Sequence, residues 1–283
     1  MKNAIALGSF DGLHTGHRAV LTEILDLHSV VVTFRVPPKT IGTDGGLLMT
    51  PEDKVEALKD FGVEEIYLLD FNKVKEQDPE EFLEFLVKKF KPERIVCGFN
   101  YRFGRGAAGN AQTLLDFCRK NEIEAKVVES VTESDSVISS TAIRDLLGAG
   151  EIEKANEFLY RDFSFSAKVL HGDARGRTLG FPTVNQKYPK ELVPLKNGVY
   201  AVEVAVGDRI FGGVANIGYR PTFETEEIFS ETFLFDFSGD LYGKTLMVHP
   251  KKFLREERRF SGEKELQEAV AHDIAAARKI LGD

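Results

Sequence analysis

The run Gly8-Ser9-Phe10-Asp11-Gly12-Leu13-His14-Thr15-Gly16-His17 concentrates residue types that can handle a phosphate. It follows a short apolar run, Ala4-Ile5-Ala6-Leu7, and opens a stretch with helical spacing at Val20, Leu21, Ile24 and Leu25. A helix N-terminus offers free backbone N–H groups and the positive end of the helix dipole, which suits an anion. Gly8 and Gly16 let the backbone come close to a ligand, with Phe10 and Asp11 in the same turn. His14 and His17 can add N–H donors to a phosphate whose charge grows in the transition state. Such a site needs no covalent nucleophile, because positioning and charge stabilisation can carry phosphoryl chemistry. Ordinary surface histidines on a turn are the competing explanation.

A second run, Ser139-Ser140-Thr141-Ala142-Ile143-Arg144, sets hydroxyls before a helical segment with an arginine in its first turn. Taken alone it reads as a helix cap. Beside the histidine run, Ser140 and Thr141 become phosphate ligands and Arg144 a counter-charge for a polyphosphate. A third cluster begins His171-Gly172-Asp173-Ala174-Arg175-Gly176-Arg177-Thr178-Leu179-Gly180. A glycine-rich basic loop of this kind wraps phosphates with N–H groups and guanidinium, so Gly172, Arg177 and Gly180 are candidate nucleotide contacts. Thr183 and Asn185 follow two residues apart. On an extended segment they share a face, and two neutral oxygens there suit Mg²⁺, which takes its other ligands from water and nucleotide phosphate. A surface turn with an Asn cap is the alternative for that short motif.

These groups need elements to hold them. From Met1 to about Leu159 short apolar runs alternate with helical patterns. Strands are expected at Ala4–Leu7, Val30–Phe34, Ile66–Leu69, Arg94–Gly98 and Ala125–Val128, and helices at Gly16–Leu27 and Leu114–Arg119 and after Thr50-Pro51 and Asp78-Pro79. This alternation argues a parallel sheet covered on both faces. From about Phe163 the pattern becomes antiparallel β, with a hairpin signal at Gly207-Asp208, an aromatic strand over Phe229–Phe237 and a strand around Leu246-Met247-Val248. A last helix over Gly262–Leu281 is expected to bury Leu266, Val270, Ile274, Ala277 and Leu281. Glu224, Glu226 and Glu227 read as an exposed acidic loop, and His28, His249 and His272 as structural. The expectation is two domains, 1–158 doubly wound α/β and 159–283 a small antiparallel barrel with a terminal helix. Gly104-Arg105-Gly106-Ala107-Ala108-Gly109 spells a dinucleotide fingerprint, but a polar and aromatic stretch separates it from the preceding strand. It is expected to be a loop.

The net charge of -8 makes a poor general polyanion binder, so nucleic acid is not an expected partner. No apolar stretch approaches the ~20 residues of a membrane helix. Cys97 and Cys118 lie in apolar patterns without metal or CxxC spacing, which fits reduced thiols in a cytoplasmic protein.

The histidine run and the Ser-Ser-Thr-x-x-Arg element together resemble the nucleotidyltransferase superfamily. The full run GSFDGLHTGH looks like the adenylyltransferase half of bacterial bifunctional riboflavin kinase/FAD synthetases, as do Thr33-Phe34 and Val96–Gly104. Gly176-Arg177-Thr178-Leu179-Gly180-Phe181-Pro182-Thr183-Val184-Asn185 resembles the riboflavin kinase signature. Gly213–Gly218, Arg220–Phe223, Asp236–Lys244 and Phe253-Leu254-Arg255 match the same family, so the likeness covers nearly the whole C-terminal half. It implies that His14, Gly16 and His17 hold a triphosphate, assisted by Ser140, Thr141 and Arg144. It implies that Glu231 is the base that takes the riboflavin 5′-hydroxyl proton and that Arg255 lies near the flavin. Riboflavin, FMN and ATP with Mg²⁺ are then the small-molecule substrates, FAD the product, and the protein a monomer or weak homo-oligomer. Three positions depart from the family pattern: Val36-Pro37-Pro38 where Pro-His-Pro is common, Asn100 for Asp, and Phe233 for His. With 22 phenylalanines, most of them needed for the core, none is assigned to stack on the flavin. Two other functions stay open on sequence: a riboflavin kinase with an inactive transferase half, and a flavin-binding sensor without turnover.

Overall fold

The computed structural model describes residues 2–40, 46–133, 136–171, 181–221 and 226–282. They form two compact units, Met1–Ile143 with Phe158–Arg161, and Arg144–Glu157 with Asp162–Asp283.

The first unit alternates as its sequence pattern requires: β1 (Asn3–Leu7), α1 (Thr15–Thr22), β2 (His28–Phe34), α2 (Pro51–Asp60), β3 (Glu65–Leu69), α3 (Phe71–Val74), α4 (Pro79–Phe90), β4 (Pro92–Gly98), α5 (Ala111–Lys120) and β5 (Glu124–Val128). The strands make one parallel sheet in the order β3-β2-β1-β4-β5. Strand alternation splits the core in two. Ile5, Leu7, Val30, Val32, Ile95 and Cys97 pack on Phe82, Leu83 and Leu86 of α4 and on Leu114 and Cys118 of α5. Ala4, Ala6, Val31 and Val96 face Val20 and Leu21 of α1 and Ala57 and Leu58 of α2. This is the doubly wound arrangement expected. Burial pushes the Cys97 thiol up to about 12 and the Cys118 thiol to about 11, so both are inert, free side chains.

Local signals set the helix starts. The Thr50 hydroxyl accepts the Asp53 N–H at 3.1 Å, and Pro51 fills the first turn of α2. Asp78 and Glu81 form a capping box at α4. The helix expected over Gly16–Leu27 stops at Thr22. The chain beyond tightens into i→i+3 bonds, Ile24 N–H to Leu21 O and Leu27 N–H to Ile24 O, which keep Ile24 buried without extending the helix. The fingerprint-like glycines form a turn closed by a Phe103–Gly109 bridge, and α5 begins only at Ala111. A short hairpin, β6 (Thr132–Glu133) with β7 (Ser136–Val137), then leads to α6 (Ser140–Ala149) and α7 (Ile152–Phe158).

The second unit contains β8 (Phe165–Leu170), β9 (Thr183–Lys187), β10 (Gly198–Val206), β11 (Arg209–Pro221), β12 (Glu226–Leu234), β13 (Thr245–Arg255) and α8 (Glu263–Leu281). The strands close an antiparallel barrel in the order β10-β11-β12-β9-β8-β13. Gly207-Asp208 makes the β10–β11 hairpin turn as its residues predict. The interior is partly polar, and several of its donors are paired. The Gln186 amide donates to Ala167 O at 2.7 Å and Leu246 O at 2.9 Å, and the Ser230 and Thr232 hydroxyls lie 3.1 Å apart. Helix α8 covers the outside of the barrel, with Ala277, Ile274 and Leu281 on Val199, Ala201, Val214 and Phe235.

Three expectations are corrected here. The aromatic strand ends at Leu234 rather than Phe237, because Asp236 takes φ 53° and the chain turns away. Glu227 is not an exposed loop residue: it lies in β12, its carboxylate pairing with Lys187 at 2.6 Å and Lys190 at 3.4 Å. The buried residues of α8 are Ala269, Asp273 and Ala277, so an acid sits where an apolar stripe was expected. Glu224 lies outside the described residues.

Leu83 is fully buried between α4 and the sheet. Leu83→Ala is expected to cost the first unit about 2–5 kcal/mol, read as a lower urea midpoint for loss of its helical signal.

Candidate functional sites

In a sheet ordered β3-β2-β1-β4-β5 the connections leave β1 in one direction and return to β4 on its other side, so a crevice opens at the carboxyl ends of β1 and β4. The Gly8–His17 run lies at that end of β1. Its backbone takes uncommon geometry, with φ 49° at Phe10, 85° at Gly12 and 41° at Leu13. A Cβ on Gly12 would meet the Leu48 and Leu159 side chains at 2.8 and 2.9 Å, so both space and φ require glycine there. Phe10 and Leu13 are buried and anchor the turn in the core. Asp11 is buried as well, and its carboxylate accepts the Leu48 N–H at 3.0 Å.

The turn delivers His14 to the N-cap position of α1 and His17 to its first turn. Their rings stack with centroids 3.7 Å apart, and Phe10 lies 5.3 Å from His17. Gly16 leaves room for this, since a Cβ there would meet the His14 ring at 3.2 Å. Burial, then the neighbouring His14 and then Lys54 hold the His17 imidazole well below the usual histidine range. A neutral imidazole is still a donor, through one ring N–H.

The Ser140 hydroxyl donates to Asp11 O at 2.9 Å and so ties the start of α6 to the turn. Ser139 performs the capping, its hydroxyl accepting the Ala142 N–H at 3.2 Å. Thr141 is exposed. Arg144 follows one helical turn after Ser140 and is counted with the second unit. Gly8, Phe10, Asp11, His14, Gly16, His17 and Ser140 are therefore brought together by one turn and one helix start.

In the second unit, Asn185 of β9 pairs in register with Glu231 of β12, and Glu231 with Asn216 of β11. Cross-strand partners share a sheet face. Ser230 and Thr232 point into the barrel, so Glu231 points out, in one row with Asn185 and Asn216. Thr183 lies two residues before Asn185 and shares its face. The row continues through Val199 of β10 to Arg255 of β13. The Arg255 guanidinium grips Asp273 of α8 with two parallel bonds, 3.0 Å from Nε and 2.8 Å from Nη2. Phe233 stands beside Glu231 on the outer face, edge-on to Phe181 at 5.6 Å. Gly172, Arg177 and Gly180 lie outside the described residues. No cluster of three or more His, Cys, Asp or Glu able to hold a metal occurs among the described residues. A cation here would draw on the neutral oxygens of Thr183 and Asn185 and on its ligand's phosphates. That donor set fits Mg²⁺.

Residues 1–142 match the family model for FAD synthetase, and residues 159–281 match that for riboflavin kinase. A Bacillus subtilis protein named bifunctional riboflavin kinase/FMN adenylyltransferase is 36% identical over 290 residues, covering 96% of this chain and 90% of that protein. Its namesake from Escherichia coli K12 is 33% identical over 290 residues, covering 98% and 92%. The chain belongs to this bifunctional family. A crystal structure described as a macrolide-efflux protein from Streptococcus pneumoniae is also similar, with a TM-score of 0.90 and 31% identity over 98% of this chain and 94% of that one. No helix among the described residues is long and apolar enough to cross a membrane.

Two groups escaped the sequence reading. Lys54 is buried beside the histidine turn, and its spacing from Ala57 and Leu58 on one helix stripe was the signal available. Asn216 sits within a run that resembles the family, but only strand register shows that it stands opposite Glu231.

The lowered His17 value has a sign. In the unfolded chain His17 takes its proton near pH 6.5, and in the fold it does so at lower pH. The unfolded state thus binds more protons in that window, and His17's contribution to stability is present above pH 6.5 and lost as pH falls below it. Carbon and nitrogen NMR of histidine-labelled protein should show the His17 ring still neutral at pH 6.

Proposed function

We propose that the chain makes FAD from riboflavin in two steps, with residues 159–283 as the riboflavin kinase and residues 1–158 as the FMN adenylyltransferase. The observation that carries the reading is the cross-strand pair of Asn185 and Glu231, with Thr183 on the same face. Flavin binding alone needs neither a carboxylate base nor neutral oxygens beside it. The sensor alternative leaves that pairing without a purpose.

In the kinase step Glu231 accepts the proton of the riboflavin 5′-hydroxyl as that oxygen attacks the γ-phosphorus of ATP. The new bond joins O5′ to phosphorus, and the bond to the β-phosphate oxygen breaks to release ADP. Thr183 and Asn185 are the residues that would hold Mg²⁺, which when bound offsets phosphate charge. Gly172, Arg177 and Gly180 are assigned to the ATP phosphates, and Arg255 to orienting the flavin end of the substrate through its anchored position.

In the transferase step an oxygen of the FMN phosphate attacks the α-phosphorus of ATP, and pyrophosphate leaves. The turn from Gly8 to His17 gives backbone N–H groups to the triphosphate. His14 and His17 donate to phosphate oxygens as charge builds on them. Ser140 keeps the start of α6 against that turn, with Thr141 and Arg144 assisting from the same helix. Because the His17 imidazole is held neutral, it serves as a hydrogen-bond donor rather than as a fixed cation. The substrates are small molecules. In this reading the protein works in the cytoplasm as a monomer or weak homo-oligomer, with no nucleic acid or membrane as partner.

Purified protein incubated with riboflavin, ATP and Mg²⁺ should yield FMN first and FAD later on chromatography. FMN alone would favour the kinase with an inactive transferase half, and unchanged flavins would favour the sensor. Glu231→Gln is expected to slow FMN formation about 10²–10⁴-fold while supplied FMN still becomes FAD. His17→Ala should do the reverse, slowing AMP transfer about 10²–10³-fold so that FMN accumulates. Loss of both steps from either substitution in a folded protein would refute two separate sites.

A further inference from the structure

Lys54 has no part in the chemistry above, yet it is among the most expensively placed groups in the first unit. It sits on α2 with a relative exposure of 2%. Its ammonium donates to Phe34 O, to Arg35 O at 3.2 Å and to Ser9 O at 3.4 Å. Those three acceptors match the three donors of an ammonium. Phe34 ends β2, and Ser9 lies in the histidine turn just beyond β1. The Ser9 carbonyl also accepts the Thr33 hydroxyl at 3.1 Å.

The groups around Lys54 are identifiable. Burial brings the ammonium down to about 8, opposed by Asp11 in the turn, which favours the charged form. From α1, His17 feels the Lys54 charge directly, and His14 acts on His17. On α2 itself the four acids are engaged elsewhere: Glu52 pairs with the Arg35 guanidinium, Asp53 accepts from the Thr50 hydroxyl at 2.6 Å, and Glu56 and Asp60 pair with Arg161. The Lys54 charge therefore faces the turn and the strand ends.

We propose that Lys54 is a positioning residue for adenylyl transfer: by binding the Ser9, Phe34 and Arg35 carbonyls it ties the exits of β1 and β2 together and fixes the backbone N–H groups of the phosphate-binding turn. The inference rests on the adenylyltransferase reading of this unit. In a planar trans peptide the carbonyl and the following N–H point in opposite directions. Pinning Ser9 O inward thus sets the direction of the Phe10 N–H, and pinning Phe34 O sets that of the Arg35 N–H. Lys54 also places a cation behind the turn without occupying it, so an incoming polyphosphate meets oriented donors and a favourable field. With its ammonium bound to three carbonyls, it acts through the backbone it holds.

The experiment compares AMP transfer to FMN in the full-length wild type, Lys54→Met and Lys54→Arg from pH 7 to 10, with riboflavin phosphorylation by the same preparations as internal control. Lys54→Met keeps the stem and loses the donors. It should lower kcat/KM for transfer tenfold or more, mainly by raising the KM for ATP, and leave phosphorylation within twofold. Wild-type kcat/KM for transfer should fall as pH rises through about 8, because the free enzyme loses the Lys54 proton there. Arginine stays charged across this range, so Lys54→Arg should restore part of the activity and lack that alkaline fall. A methionine variant with wild-type transfer constants overturns the proposal, as does an arginine variant with the wild-type alkaline fall. Should Lys54→Met lose phosphorylation as well, the arginine profile alone decides. A wild type that phosphorylates riboflavin but never adenylylates FMN would overturn the reading of the unit and this proposal with it. The variants bear on Lys54 alone.

Discussion

Parallel strands end in carbonyls and N–H groups that no further strand can pair, and this constraint governs the first unit. At the carboxyl ends of β1 and β2 the exposed acceptors are met by side chains, Thr33 on Ser9 O and Lys54 on Ser9, Phe34 and Arg35. With the acceptors satisfied from inside, the polarity left over at this end is mostly donors, at the start of α1. A region rich in oriented donors attracts anions before any side chain is counted. The histidines, the glycines and the Ser140 tether refine a preference that the sheet order already creates.

The barrel reaches a phosphate-handling surface by another route. Closure pairs every strand on both sides, so strand ends leave few backbone groups to use. Chemistry must come from side chains, and strand alternation decides which are available. Ser230 and Thr232 are spent on the interior, and Glu231 between them is forced outward. Register then brings Asn185 and Asn216 to either side of it. A one-residue slip of β12 would bury the carboxylate and expose the hydroxyls, so the face that Glu231 presents is set by register in this strand. The Arg255–Asp273 pair meets the same demand from outside. It fixes a helix across the barrel wall with a buried acid, an arrangement costly to break because the buried carboxylate would lose its paired guanidinium.

How much of this was legible in the sequence follows from the range of the interactions. Periodicity gave the sheet, the barrel and the capped helices because those signals are local: Thr50-Pro51, Asp78-Pro79 and Gly207-Asp208 each act within a few residues. The histidine turn was legible for the same reason. Lys54 was not, because the helix stripe that buries it is apolar by rule and its acceptors lie at or just beyond the ends of β1 and β2, more than 15 residues away. Asp273 was missed likewise, since an acid on an apolar stripe makes sense only beside Arg255. The overlong first helix and the overlong aromatic strand share one cause. Composition continued past the point where the backbone turned, at Thr22 in one case and at Asp236 in the other.

The stacked histidines show why the site has the chemistry it has. Two imidazoles with centroids 3.7 Å apart cannot both take a proton cheaply, and a buried lysine nearby raises the cost further. A pair designed to carry fixed charge would be spaced, exposed or matched with carboxylates. This pair is compressed and set beside a cation, so His17 is held below the usual histidine range and keeps a ring N–H as donor. Permanent guanidinium groups in the same place would bind the ground state as strongly as the transition state and gain less rate.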